Sequence, residues 1–223
     1  MTALNLYDAR LKHPSTMLIS GVSRSGKTCF STKLIENINR IFKPTPPKYV
    51  ILIYEEWQNI YDRLVENNHV HLAMKGIDDF DYLKEIMIEK KEMGGTLLLI
   101  DDQGSKIDQN IMKIFTIYSH HLSVTCMLLT QTLFDSKREF RTVSLNASYL
   151  VIMKNSRDAS SITNLAKQTH PYRTRFLTNS YLDATKQPYS YLLIDMVSET
   201  PEEIRIRSNI FEDPITVYLP KDQ

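Results

Sequence analysis

Residues 18–28 read LISGVSRSGKT, an apolar run that stops at a glycine and passes through four residues into Gly26, Lys27 and Thr28. That spacing, entered from a strand and left by a helix, is the pattern of a phosphate-binding loop. Glycines let the backbone curl until successive N–H groups face one anion, and the helix N-terminus adds its partial positive charge. The loop therefore commits the chain to a strand over residues 17–19 and a helix over 27–41, joined by a nucleotide-binding turn. Gly21, Val22, Ser23, Arg24, Ser25, Gly26, Lys27, Thr28 and Cys29 form that segment. Lys27 would reach the β- and γ-phosphates of ATP, and Thr28 would offer its hydroxyl to Mg²⁺. The bland alternative is a glycine-rich turn with a solvated lysine.

Strand and helix patterns alternate downstream, which predicts an α/β fold with a mainly parallel sheet flanked by helices. Tyr49–Tyr54 (YVILIY) is a second buried strand after the breaker KPTPPK, and Thr96–Ile100 (TLLLI) is a third. Residues 57–66, 80–92, 107–120 and 159–167 read as helices, and 69–74 as a short edge strand. Residues 123–129 are a fourth clear strand and Tyr149–Met153 (YLVIM) a fifth. The tail YSYLLIDM, the turn-like SETPEE and IRIRS predict an added β-hairpin, so residues 1–188 form the core and 189–223 a hairpin and tail packed on it.

In open parallel sheets, ligands bind at the carboxyl ends of the strands. The first, third and fourth strands then present the phosphate loop, Asp101-Asp102 and Thr130-Gln131 to one site. Asp101 fits a carboxylate that holds Mg²⁺ with Thr28, and Asp102 one that polarises an attacking water. Two adjacent aspartates at a strand end could equally cap a helix or start a turn. Gln131 can donate to a γ-phosphate oxygen and accept from a water at once. It could also be an ordinary polar residue where a strand exits to a loop.

Size and charge narrow the classes further. A chain of 223 residues that is 42% hydrophobic and 24% charged can bury a sizeable core. A formal charge of +1 argues against a protein coated in basic surface, although a ring needs only a few Lys or Arg facing its channel. No signal peptide or membrane-length apolar run is legible, so a soluble protein is expected. Cys29 and Cys126 read as reduced core residues of a cytosolic or nuclear protein. His69 and His71 lack further ligands at zinc spacing. Trp57, with Tyr54 and Tyr61, reads as core or base-side packing, since no basic residues interleave them.

HPSTMLISGVSRSGKT, TLLLIDDQ, MLLTQT and NASYLVIMKNSRD together resemble the FtsK–HerA superfamily. Within it they resemble the compact genome-packaging ATPases of poxviruses, virophages and Polinton-like elements. The similarity runs over residues 13–168 in motif order, and the tail YLLIDM with IRIRSNIF is similar too. The resemblance implies a P-loop NTPase of the RecA-like type with an added strand between the strands of the Walker A and Walker B motifs. It further implies ATP hydrolysis with Mg²⁺, a homo-oligomeric ring, double-stranded DNA as the cargo and a capsid or portal-vertex partner. The implied location is the cytoplasm or nucleus of an infected cell, or the virion. By the same carry-over Lys27 and Thr28 bind nucleotide and metal, Asp101 and Asp102 are the acid pair, and Gln131 is the sensor. Many relatives carry Pro and Gly where this chain has Val22 and Arg24, and often Glu where Asp102 stands.

Arg24 could swing over the phosphates of its own subunit, face solvent, or touch a neighbour. Rings of this class usually take an arginine from the next subunit, and Arg157 in KNSRD is the favoured candidate over Arg138 and Arg141. Arg205 and Arg207 alternate, which puts both on one side of the tail hairpin, open to DNA, a neighbour or water. Two rivals remain at this level. One is a small-molecule kinase with SKREFR as its lid, and the other is a non-catalytic nucleotide switch.

Overall fold

The computed structural model describes residues 7–101 and 107–220. In chain order the elements begin with β1 (Leu11–Lys12), β2 (Thr16–Ser20), α1 (Lys27–Glu36), α2 (Ile38–Ile41), β3 (Phe42–Lys43) and β4 (Tyr49–Tyr54). They continue with α3 (Ile60–Glu66), β5 (Leu72–Lys75), α4 (Phe80–Lys91), β6 (Thr96–Ile100) and α5 (Gln109–Lys113). A π-helical turn, Ile114–Tyr118, joins α5 to α6 (Ser119–His121) and leads to β7 (Val124–Thr130), α7 (Arg138–Leu145) and β8 (Tyr149–Met153). The last elements are α8 (Ala159–Thr169), α9 (Thr174–Ala184), β9 (Tyr191–Asp195), β10 (Ile206–Ser208) and β11 (Thr216–Val217).

A nine-stranded sheet runs β11-β10-β9-β8-β2-β7-β6-β4-β5, and β1 pairs with β3 beside it. From β8 to β5 every neighbouring pair is parallel, whereas β9, β10 and β11 add antiparallel strands at the other edge. The fold is therefore α/β with a mainly parallel sheet, and β7 lies between the strand of the phosphate loop and that of Asp101. The tail hairpin continues the main sheet.

Period-two alternation builds a core on each face. Leu18, Ile51, Leu98, Leu128 and Ile152 point to one side, while Ile19, Leu52, Leu99, Met127 and Val151 point to the other. Each central strand is buried on both faces, which is why it reads as an unbroken apolar run.

Several expectations need correction. The helix predicted over 27–41 breaks at Asn37, whose side-chain amide donates to Lys33 O at 2.8 Å and competes with the helical ladder. The pattern reading also missed α7 and α9. SKREFR, weighed above as a lid, opens α7, and Phe140 and Val143 anchor that helix in the core. Cys29 is exposed, because only the next residue, Phe30, turns inward. Arg207 is buried completely and pairs with Asp195 at 2.5 Å. Arg205 lies outside β10 and donates to the carbonyls of Asp195, Val197 and Ser198. Neither guanidinium matches the open hairpin face anticipated for the pair.

Candidate functional site

Three parallel strands end together and set the site. Ser20 is in register with Thr130, and Ile100 with Leu128, so the residues that follow β2, β6 and β7 emerge at one end of the sheet. Gly21 N donates to Thr130 O at 3.1 Å, which ties the start of the loop to the strand that delivers Gln131. Thr130 Oγ1 donates to Thr132 O at 2.8 Å and turns the chain out there.

Within the loop two glycines are required by space and by backbone angle. A Cβ on Gly21 would sit 2.6 Å from Met153 Cβ. Gly26 has φ 106°, and a Cβ there would approach Tyr189 Cα to 3.2 Å. Ser25 N donates to Val22 O at 3.1 Å and closes the turn. The Ser25 hydroxyl is buried without a partner among the described residues. Ser23 and Arg24 are exposed at the tip, where Arg24 adopts φ 64°, a left-handed conformation unusual for a side chain of its size.

Lys27 Nζ donates to Gly21 O at 2.7 Å and to Val22 O at 3.2 Å, so the ammonium lies across the mouth of the loop. Thr28 Oγ1 donates to Asp101 Oδ2 at 3.1 Å. A hydroxyl and a carboxylate in contact are the hard oxygen donors that suit Mg²⁺. Asp101 is 4% exposed and receives two further donors on the same oxygen, Gln58 Nε2 at 3.1 Å and the Tyr61 hydroxyl. Sequence reasoning had set Tyr61 aside as packing. Gln58 and Tyr61 are three apart on one turn, and that spacing was the one local signal that they share a face. Trp57 is 41% exposed, stacks edge-on against Tyr54 and Tyr61, and donates to Asp62 at 2.8 Å.

Arg24, Lys27, Thr28, Gln58, Asp101 and Gln131 line a cavity of about 190 Å³. Gln131 and Ser23 also border a neighbouring cavity of about 400 Å³ that reaches Asn155, Arg157 and Asp158. Arg157 thus stands at the same end of the sheet as the loop of its own chain. The Asp158 carboxylate caps α8 and is held below the usual carboxylate range by donation from the Ser160 and Ser161 hydroxyls. A third cavity, of about 590 Å³, opens beside Cys29, Lys33, Tyr189, Asn209 and Phe211. Nothing in the sequence pattern pointed to Tyr189, which reaches the loop from 163 residues away (189 against 26). Asp102, the expected water-polarising acid, lies outside the described residues. Among the described residues no group of three metal-binding side chains occurs.

The family model described as Poxvirus A32 protein matches residues 5–170. A search of curated proteins found no match. Among solved structures, B204, the DNA-packaging ATPase from Sulfolobus turreted icosahedral virus, is similar with a TM-score of 0.57 and 14% identity, over 94% of this chain and 98% of that one. The packaging NTPase B204 of Sulfolobus turreted icosahedral virus 2, in complex with ATP-gammaS, is similar at 0.56 and 16%, over 96% and 99%. EssC ATPases 2 and 3 from Geobacillus thermodenitrificans give 0.58 and 13%, over 94% of this chain and 40% of that one.

Proposed function

The chain belongs to the Poxvirus A32 protein family, and from that membership and the site's geometry we propose that it is an ATP-hydrolysing motor that packages double-stranded DNA. The observation that carries the chemistry is the contact of Thr28 Oγ1 with Asp101 Oδ2 at 3.1 Å, beside Lys27 and within one cavity with Gln131. ATP with Mg²⁺ would supply the phosphoanhydride and the charge that neutralises it. The loop amides and Lys27 would bind the β- and γ-phosphates, and Thr28 and Asp101 would hold the metal. Gln131 orients water, Asp102 takes its proton, and the cavity beside Cys29 and Tyr189 receives the nucleoside. Arg24 stabilises charge from within the subunit, and Arg157 reaches toward a neighbour's nucleotide in a ring. Capsid or portal proteins would dock the assembled motor in the infected cell. Among the described residues no helix is long and apolar enough to cross a membrane.

Phosphate release measured with and without duplex DNA, alongside mass by light scattering, tests this reading. Hydrolysis stimulated by DNA in an oligomer is expected. Phosphate appearing on a nucleotide instead would point to a kinase, and binding without turnover to a switch. Gln131→Ala should leave only residual basal hydrolysis and lose its response to DNA, because Gln131 faces the site cavity and links the end of β7 to the chain leading into α7. Normal stimulation in that variant would count against a sensor role.

Tyr61→Phe removes one of three donors from Asp101 Oδ2 while leaving the ring in place. Loss of a partner that orients a metal ligand typically costs about 10-fold or more in metal affinity. The Mg²⁺ concentration for half-maximal hydrolysis should rise by roughly that factor. An unchanged Mg²⁺ midpoint would make Tyr61 a packing residue only.

A further inference from the structure

At the far end of α8 from Arg157, the chain turns through a 3-10 segment, Pro171–Arg173, into α9. Tyr172 on that turn is 99% exposed. It is held outward by a turn closed from within. Arg173 N donates to His170 O at 2.9 Å, Thr174 Oγ1 reaches Pro171 O at 3.3 Å, and the His170 ring packs edge-on against Phe176. Ile162, Leu165, Leu177 and Tyr181 of the two helices face the core, while Lys167, Arg173 and Arg175 are exposed.

Charge here is one-sided. Between Asp158, which caps α8, and Asp183, near the end of α9, the formally charged residues are Lys167, Arg173 and Arg175, in a chain whose formal charge is only +1. Among the described residues no ion pair engages any of these three cations. The carboxylate that acts on His170, Glu202, is itself taken by Arg205 at 2.5 Å. By contrast, Arg205 and Arg207, the alternating arginines of the tail, both bond within the chain, Arg205 to the carbonyls of Asp195 and Val197 and Arg207 to the Asp195 carboxylate.

We propose that the turn between α8 and α9 is the surface that grips the phosphate backbone of duplex DNA, with Arg173 and Arg175 on phosphates and the Tyr172 hydroxyl donating to a third. The inference rests on the packaging reading above. Bases in a duplex are already stacked, so an exposed tyrosine there contributes through its hydroxyl and its contact with sugar, and the arginines add charge without reading sequence. A motor that moves along any sequence needs that kind of contact. Placement also suits coupling. α8 spans Ala159–Thr169, about 16 Å at 1.5 Å per residue. It starts directly after Arg157 and Asp158 at the nucleotide end, and α9 returns there, where the Tyr181 hydroxyl donates to Met153 O at 3.2 Å. The two helices thus connect the turn to the border of the site.

Binding of a fluorescently labelled DNA duplex, followed by anisotropy over a range of salt concentrations, tests the proposal with Arg173→Ala/Arg175→Ala and with Tyr172→Ala. Each phosphate contact contributes about 0.9 to the slope of log K against log salt. The double variant should therefore lower the slope by about 1.8. Tyr172→Ala should weaken binding several-fold with a smaller change in slope. Basal hydrolysis without DNA and the mass by light scattering should match the parent in both. A parent chain that binds duplex while the double variant keeps its slope and affinity would overturn the surface and leave the packaging reading standing. A fall in mass in either variant would reassign the turn to a contact between subunits and also overturn the proposal. A parent chain that binds no duplex would remove the packaging reading and this inference with it.

Discussion

Replacing Lys27 by alanine should abolish ATP hydrolysis while leaving the fold intact. The ammonium is seated across two carbonyls at the loop mouth, 2.7 Å from Gly21 O and 3.2 Å from Val22 O. On the proposed reading, the same short reach would place it on the β- and γ-phosphates of bound nucleotide, where charge develops in the transition state. Removing one such preorganised donor costs on the order of 10²–10³-fold in turnover, and here binding of the triphosphate should weaken as well. Phosphate release and titration with a fluorescent nucleotide separate the two effects. The thermal midpoint should stay near that of the parent, since Lys27 is only partly buried at the start of α1. Turnover close to the parent rate would remove the phosphate-loop assignment altogether, and with it the roles given to Thr28 and Asp101.

The second large effect concerns stability and lies far from the nucleotide. Asp195 and Arg207 pair at 2.5 Å with side chains 3% and 1% exposed. Arg207 also donates to Ala9 O at 2.5 Å, which ties the N-terminal segment to β10. Burial pushes the Asp195 carboxyl up from its ordinary range, and the facing guanidinium opposes that shift. Asp195→Ala would leave a guanidinium in the interior with no counter-charge. Breaking a buried pair from one side costs about 3–5 kcal/mol, a large share of the total stability of an ordinary domain. Urea unfolding should show a midpoint lowered accordingly. The double change Asp195→Leu/Arg207→Met should recover part of the loss, because replacing both charges by apolar groups removes the stranded ion. A single variant within about 1 kcal/mol of the parent would mean that water reaches the arginine once its partner is gone.

What the sequence by itself determined is what short-range physics controls. The strand, loop and helix around residues 21–28 are legible because glycine, lysine and threonine act within eight residues of one another. The central strands are legible because a strand covered on both faces must be apolar throughout. Asp101 and Gln131 followed from those strands, since a carboxylate or an amide at the carboxyl end of a parallel strand has one place to go. The resemblance to packaging ATPases rests on the same short runs.

Tertiary structure alone decided the contacts made across long separations. Tyr61 and Gln58 reach Asp101 from 40 and 43 residues away, and only the pairing of β4 with β6 brings α3 and the segment that leads into it over that carboxylate. Tyr189 meets Gly26 because β9 lies antiparallel to β8 and starts at the end of the sheet that carries the loop. Arg207 illustrates the reverse error: in IRIRS its alternation with isoleucine marks a polar face, and a polar face ordinarily meets water. In the folded chain β10 is enclosed between β9 and β11, and the buried carboxylate of Asp195 makes an interior guanidinium tenable. Local pattern records which residues share a face of a strand or helix, but which side of a finished sheet that face meets depends on what packs over it.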